Sequence, residues 1–166
     1  MIIVITDACF LIDMIDINLF EEFLGLGYQA HITLSVFSEL GGDEYVKPVS
    51  KCIKQKKMFL YNLNAADQTA LKKLMRKHSS RLSEPDCSCL YLAKELNATI
   101  LTCEKLLTKL AKNLNLDVHG SLWILDRLLD TSMITKRIAY GKLKDLMSIN
   151  PRLPVKECQK RLKSWG

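Results

Sequence analysis

The sequence of 166 residues has no long apolar run, no glycine-rich phosphate-binding loop and no cluster of cysteines and histidines. Because a transmembrane helix needs roughly 20 consecutive apolar residues, we expect no membrane association through a spanning segment. The first residues, MIIVITD, lack the basic segment and the small-residue cleavage site of a secretory signal, so we expect a cytoplasmic protein. The sequence also gives no signal for a nucleotide-binding glycine loop.

The six cysteines form no recognisable zinc or disulfide pattern. Cys87 and Cys89 are two positions apart on a predicted helix, a spacing that points their sulfurs away from each other. The other four have no Cys or His neighbour at zinc-site spacing: Cys9, Cys52, Cys103 and Cys158. We therefore expect reduced, mostly buried thiols. The histidines are also isolated, which favours structural roles for all of them: His31, His78 and His119.

The two halves of the chain differ in charge. Residues 1–104 contain 11 Lys and Arg against 13 Asp and Glu, whereas residues 105–166 contain 13 against 5. An acidic half joined to a basic half suits an enzyme that cuts a polyanion at a bound metal ion. The alternative is that the surplus lysines only keep a helical surface hydrated, and charge alone does not decide between the two.

Apolar strand-like runs alternate with helical patterns along the chain. The run at 2–6 is β-branched and fully apolar apart from Thr6, as in a buried parallel strand, and further strands are predicted at 28–33, 58–63, 99–102 and 117–119. The segments between them have helical spacing, so we expect one domain with a parallel sheet covered by helices on both faces. One apolar helical face is predicted from Phe10 to Leu24, and basic helices are predicted at 134–147 and 155–162.

Four acidic residues stand where predicted strands end or helices begin. Asp7 and Glu104 directly follow strands. Ser35 is predicted to cap a helix that carries Glu39 one turn in, and Ser83 to cap a helix that Asp86 opens. Because functional residues of open α/β sheets lie beyond the carboxyl ends of the strands, we expect these four acids to converge there.

Four converging carboxylates predict a site for a divalent cation. Such a cluster stays ionised only when a cation neutralises it, and hard oxygen ligands favour Mg²⁺ or Mn²⁺ over zinc. Each acid also has a simpler interpretation. Asp86 can serve only to stabilise its helix, because a negative charge near a helix N-terminus interacts favourably with the helix dipole. Glu39 can simply lie on a hydrated helix face.

Four short motifs resemble the successive motifs of the PIN-domain nucleases, most closely the VapC-like toxin branch. They are Val-Ile-Thr-Asp7, Leu-Ser-Glu39-Leu, Pro-Asp86-x-x-x-Leu-x-Leu-Ala93 and Ile-Leu-Thr102-Cys-Glu104-Lys-Leu-Leu. With the later segment that begins at His119, the likeness extends from residue 2 to about residue 147. The resemblance implies a Rossmann-like three-layer α/β/α fold with a mostly parallel central sheet, RNA cleavage that depends on Mg²⁺ or Mn²⁺, and pairing with an antitoxin.

By this resemblance Asp7, Glu39, Asp86 and Glu104 are the catalytic metal ligands. Glu104 stands where the family usually has Asp, and its longer side chain can replace direct coordination by contact through water. The hydroxyls of Thr6 and Thr102 are candidates to orient carboxylates or water, although β-branched residues are also common in strands. We assign residues 1–147 to the PIN-like nuclease domain and 148–166 to a basic helical C-terminal extension of the same domain.

Three groups of basic residues are candidate RNA contacts. One follows Glu104 at helical spacing: Lys105, Lys109 and Lys112. The second precedes the Asp86 motif: Arg76, Lys77 and Arg81. The third is near the C-terminus: Lys156, Lys160, Arg161 and Lys163. For each, a hydrated surface is an equally good interpretation. The surplus apolar residues of 10–24 and 35–53 suit either the core or a homodimer or antitoxin interface.

The sequence thus favours a metal-dependent endoribonuclease, the toxin of a type II toxin-antitoxin pair. The alternative from another class is a catalytically weakened PIN-like domain that binds nucleic acid or protein, and the substitution at Glu104 keeps it open. A third interpretation is an Asp-dependent phosphohydrolase that acts on small phosphate esters.

Overall fold

The computed structural model describes residues 1–78 and 82–166, and its centre is a five-stranded sheet. The strands are β1 (Ile3–Thr6), β2 (Gln29–Thr33), β3 (Phe59–Tyr61), β4 (Thr99–Leu101) and β5 (Val118–His119). Their order is β3-β2-β1-β4-β5, and every neighbouring pair is parallel. All carboxyl ends therefore lie along one edge, which confirms the predicted sheet.

Helices flank this sheet and give a three-layer α/β/α arrangement. They are α1 (Ala8–Asp16), α2 (Phe20–Gly25), α3 (Leu34–Ser38), α4 (Asp43–Lys54), α5 (Ala65–His78), α6 (Glu84–Leu96), α7 (Lys105–Asn113), α8 (Ser121–Asp130), α9 (Lys136–Ile149) and α10 (Val155–Trp165). Across residues 1–78 and 82–166, none of these helices has the length and apolarity to cross a membrane.

The core forms around β1 and α6. Val4 and Ile5 of β1 are fully buried, because the strand is central and covered on both faces. Helix α6 packs against β1, β2 and β4, and its Leu90 and Leu92 are buried. This packing fixes the first turn of α6 relative to the end of β1, which is the relation that the candidate site requires.

The apolar segment after β1 is two helices, so the prediction of one continuous helical face from Phe10 to Leu24 is wrong. Helix α1 ends at Asp16, and Asn18 then adopts a left-handed backbone with φ of 58°. Asparagine tolerates this conformation better than most residues, and it redirects the chain into α2. Phe23 of α2 then packs edge-on against Phe10 with ring centroids 5.1 Å apart. The apolar residues of these helices are therefore largely core.

The helix after β2 also begins and ends differently from the prediction. Thr33, not Ser35, is its N-cap, since the Thr33 hydroxyl accepts a hydrogen bond of 3.2 Å from the Val36 amide. Ser35 lies inside α3 and donates instead to Glu84. Because α3 begins early and is short, Glu39 lies at its C-terminal end and not one turn in.

The C-terminal helices pack on the rest of the domain. Helix α10 packs along α9, and its Cys158 is buried. Arg161 of α10 donates to both carboxylate oxygens of Asp126 in α8, at distances from 2.7 to 3.2 Å. The segment between α9 and α10 is thereby held close to the carboxyl edge of the sheet.

Candidate functional site

Asp7 is the innermost acid of the site. It directly follows β1, is 3% exposed and caps α1, with its Oδ1 accepting a hydrogen bond of 2.9 Å from the Phe10 amide. The Thr102 hydroxyl, at the end of β4, donates to Oδ2. Burial raises the pKa of Asp7 to about 7, despite hydrogen bonds from Thr102, Phe10 and Cys9 that lower it. Without a cation, this carboxyl therefore ionises with difficulty.

The other three acids line the same edge at increasing exposure. Asp86 lies half-buried in the first turn of α6, Glu104 is the N-cap of α7, and Glu39 is exposed at the end of α3. Burial, then the charges of Asp86 and Glu104, raise the pKa of Glu39. Burial and the charge of Glu104 likewise raise the pKa of Asp86, whose charge in turn raises that of Asp7. Pairwise charge interactions thus link these acids, and we refer to Asp7, Glu39, Asp86 and Glu104 as the acidic cluster.

The donor set of this cluster fits a hard divalent cation. Within the described parts of the chain, no three His, Cys, Asp or Glu side chains are already gathered closely enough to hold a metal ion. Mg²⁺ does not need such a cage, because it keeps several water ligands and commonly takes one or two carboxylates. Burial is the largest cause of the raised pKa values of Asp7, Asp86 and Glu39, and a cation bound beside these carboxylates would lower them.

An arginine from the distant C-terminal region reaches the cluster. The guanidinium of Arg152, between α9 and α10, donates to Oε1 of Glu104. The positive charge of Arg152 partly offsets the rise in the pKa of Asp86 that burial causes. The Arg152 amide donates to Asn150 Oδ1 at 2.9 Å. Arg152 thus supplies a positive charge next to the acids, an arrangement that the sequence analysis did not anticipate.

Asp13 anchors this arrangement from inside the protein. It is 6% exposed, and its Oδ2 accepts hydrogen bonds from Asn150 Nδ2 at 2.8 Å, Ser121 Oγ at 3.0 Å and Cys103 Sγ at 3.1 Å. Sequence reasoning missed this residue. The available signal was an acid on the core-facing side of an otherwise apolar helix, one turn after Phe10.

Two thiols connect Asp7 with Asp13. Cys9 Sγ lies 3.2 Å from both carboxylate oxygens of Asp7 and accepts a hydrogen bond of 3.2 Å from the Cys103 amide. The contact with Cys9, followed by burial, raises the pKa of the Cys103 thiol. The Cys103 thiol is therefore neutral and donates to Asp13. All six cysteines are free and four are buried, as expected.

Hydroxyl groups hold the elements that carry the acids. The Thr33 and Ser88 hydroxyls are 2.7 Å apart and join the end of β2 to α6. Helix α3, whose C-cap is Glu39, begins directly after Thr33, and α6 carries Asp86. Thr102 accepts a hydrogen bond of 2.9 Å from the Glu104 amide in addition to contacting Asp7. Thr6 instead donates to the His31 carbonyl at 3.1 Å and so supports the pairing of β1 with β2.

The lysines after Glu104 line a cleft that opens beside the acids. The cleft has a volume of about 570 Å³, and Lys105, Lys109, Lys112 and Arg152 line it. Lys77 of α5 and Lys109 of α7 both line a second cleft of about 250 Å³, so the two helices contribute lysines to the same part of the surface. Arg76 lies exposed one position before Lys77, and Arg81 lies outside the described residues.

Comparisons with known proteins agree with this fold. A family model described as "PIN domain" matches residues 3–166. Among solved structures, a chain of VapBC2 from Rickettsia felis, bound to a DNA fragment from their promoter, matches with a TM-score of 0.51 and 15% identity. The alignment covers 72% of this chain and 98% of that chain. At that identity the likeness supports the fold alone, and no curated protein matches the sequence significantly.

Proposed function

The chain belongs to the PIN-domain family, and we propose that it is a metal-dependent endoribonuclease that hydrolyses RNA phosphodiester bonds. Members of this family are generally nucleases, and they typically use divalent metal ions. The specific proposal is that Asp7, Glu39, Asp86 and Glu104 are the catalytic acids and that Mg²⁺ or Mn²⁺ is the cation. A cytoplasmic location is part of this proposal.

One observation carries the proposal: acids that are distant in the sequence lie at the carboxyl edge of the sheet, where β1 ends and at the termini of α3, α6 and α7. Burial raises the pKa values of Asp7, Asp86 and Glu39, and the charges of neighbouring acids of the site raise them further. Acids of like charge that are crowded together, one of them buried, cost folding free energy, and such an arrangement is typical of functional sites. Cation binding is the use that its oxygen-only donor set supports best.

The side chains of the cluster would divide the work as follows. Asp7 and Asp86 would hold the cation, with Glu39 and Glu104 contacting it directly or through its waters. When bound, the cation would polarise the phosphodiester and lower the pKa of an attacking water. Thr102 fixes the orientation of the Asp7 carboxylate by its hydrogen bond to Oδ2. The Cys9 thiol contacts the same carboxylate and shields it from bulk water.

Cleavage of mixed RNAs tests the proposal. We expect the purified protein to cut RNA internally with Mn²⁺ or Mg²⁺, and we expect EDTA to reduce the rate at least about 100-fold, because the cation supplies the nucleophile and charge stabilisation. Product sizes on denaturing gels give the measurement. Cleavage that persists in EDTA would remove the metal mechanism, and turnover of small phosphate esters without RNA cleavage would indicate the phosphohydrolase.

We also propose that Lys105, Lys109 and Lys112 contact the RNA backbone. Their reversal to Glu is expected to weaken RNA binding and to flatten its salt dependence, because each phosphate contact adds about one unit to the salt slope. Filter binding at several salt concentrations measures both quantities. The matched control reverses Lys47, Lys51 and Lys54 of α4, which lie outside this cleft. Equal affinity and slope for both triple variants would exclude α7 from the RNA interface.

The partner protein is a further part of the proposal. The matched structure is that of VapBC2, and the family resemblance supports a toxin that is held by a cognate antitoxin. A homodimer is also proposed. Phe10, Met14 and Phe23 of α1 and α2 are not available to it, because they are core residues. Co-expression with the product of an adjacent gene, followed by size-exclusion chromatography, tests both associations.

One observation favours the second candidate, a PIN-like binding domain with weakened catalysis. The ion pair between Arg152 and Glu104 engages a carboxylate that a second metal ion would need. In that case the protein binds RNA in the basic cleft but does not cut it. Binding without cleavage at any Mn²⁺ concentration would select this candidate over the endoribonuclease.

A further inference from the structure

Three aromatic side chains form a stack beside the basic cleft. The imidazole of His119 lies 4.2 Å from the ring of Trp123 at an interplanar angle of 9°. Trp123 also stacks with Tyr28, with ring centroids 5.9 Å apart. His119 Nε2 is 3.1 Å from Asp117 Oδ1, and this contact restricts rotation of the imidazole ring. The histidine ring is therefore held in a set orientation before any ligand binds.

His119 also lines the cleft described above. Apolar residues also line this cleft: Val118, Leu122, Leu153 and Pro154. Lysines of α7 and Arg152 supply positive charge at its rim. A flat aromatic ring, an apolar wall and a cationic rim are the three features that bind a nucleobase together with its phosphate.

Two residues that line the cleft contact acids of the acidic cluster. Thr102 lines the cleft and donates to Asp7, and Arg152 lines the cleft and donates to Glu104. A nucleotide in the cleft therefore lies next to the position where the scissile phosphate would bind.

We propose that this cleft is a subsite for one unpaired nucleotide of the substrate, whose base stacks on His119 while its phosphate contacts the basic rim. The inference rests on the proposed function, from which it takes RNA as the substrate. It assigns a ligand-binding role to a histidine that the sequence analysis expected to be structural. Since a base inside a duplex is already stacked on its neighbours, the subsite selects single-stranded nucleic acid.

RNA binding by the full-length protein in EDTA tests the subsite independently of cleavage. The probes are a short fluorescein-labelled single-stranded RNA and the same strand annealed to its complement, read by fluorescence anisotropy. We expect His119→Ala to weaken single-strand binding about tenfold, within the range measured for one stacked base. His119→Phe keeps a stacking ring and is expected to stay within about twofold of wild type. Duplex binding is expected to be unchanged in both variants.

The matched control is His31→Ala. His31 also packs against an aromatic ring, with its centroid 5.3 Å from that of Phe59 and the two planes tilted by 32°. It lies on β2 and outside the cleft, so wild-type affinity is expected. Thermal unfolding confirms that each variant is folded. The subsite is overturned if His119→Ala binds the single strand like wild type, if the Phe variant is as weak as the Ala variant, or if duplex binding falls equally.

A parallel cleavage assay separates this inference from the proposed function. Wild-type cleavage with Mn²⁺ combined with unchanged binding by His119→Ala rejects the subsite and leaves the nuclease intact. Ring-dependent binding without cleavage supports the subsite and rejects hydrolysis.

Discussion

Asp7→Asn is expected to reduce metal-dependent RNA cleavage more than about 100-fold, because the loss of residues that merely support a metal ligand already costs up to about that much. Asparagine keeps the size of the side chain and can still accept the hydrogen bond from the Phe10 amide, so α1 retains its cap. The substitution removes the negative charge at the innermost position of the cluster and replaces Oδ2, the acceptor of the hydrogen bond from the Thr102 hydroxyl, by an amide nitrogen. Initial rates of RNA cleavage with Mn²⁺ give the measurement.

Asp16→Asn is the matched control for this variant. Asp16 is on the same helix, but its side chain is exposed. It accepts a hydrogen bond from the Tyr45 hydroxyl, which is not part of the candidate site. We expect wild-type cleavage from it. Similar rates for Asp7→Asn and wild type would show that hydrolysis proceeds without the buried carboxylate.

The same variant is expected to have the opposite effect on stability. The pKa of Asp7 in the folded protein is raised to about 7, above that of an unfolded aspartate. Its contribution to stability is therefore complete below the unfolded pKa and is lost as pH rises through about 7. The loss is on the order of 4 kcal/mol at high pH without metal. Urea unfolding in EDTA should show Asp7→Asn more stable than wild type at about pH 8.

Asp13→Ala is expected to lower the free energy of unfolding by about 3 kcal/mol or more, since it leaves buried donors without an acceptor. The affected donors are the Ser121 hydroxyl, the Asn150 amide and the Cys103 thiol. Because Asn150 also holds the backbone of Arg152, the contact between Arg152 and Glu104 should loosen as well. Urea or thermal unfolding of the pure variant gives the change in stability.

Asp16→Ala again provides the comparison, one turn further along α1. Its exposed side chain makes one hydrogen bond to Tyr45, and we expect a change of no more than about 1 kcal/mol. If the two alanine variants were equally stable, the buried bonds to Asp13 would not be holding the C-terminal segment in place.

Local sequence features predicted the parts of the protein that depend on local interactions. The apolar run before Asp7 is the central strand, and Ser83 caps the helix of Asp86 as its position indicated. The break at Asn18 was not predicted, because the apolar spacing of α1 continues across it into α2. The N-cap at Thr33 was also missed, because Thr33 and Ser35 are two positions apart and the side chain of either can cap a helix.

Features that depend on distant partners could not be read from spacing. Asn150 contacts Asp13 across 137 positions, and Arg152 contacts Glu104 across 48. Their local sequence shows only a loop before a basic helix, so neither residue was singled out. The convergence of the acids was predictable because a parallel sheet brings all its carboxyl ends to one edge. No comparable rule locates a loop against the cluster.

The central claim is that the acids at this edge bind a divalent cation through Asp7. Calorimetric titration of Mn²⁺ into the metal-free wild type and Asp7→Asn, at a pH above about 7 where Asp7 is ionised, tests it most directly. We expect saturable binding to the wild type and at least about tenfold weaker binding to the variant. Equal Mn²⁺ affinity in the two proteins would contradict the claim.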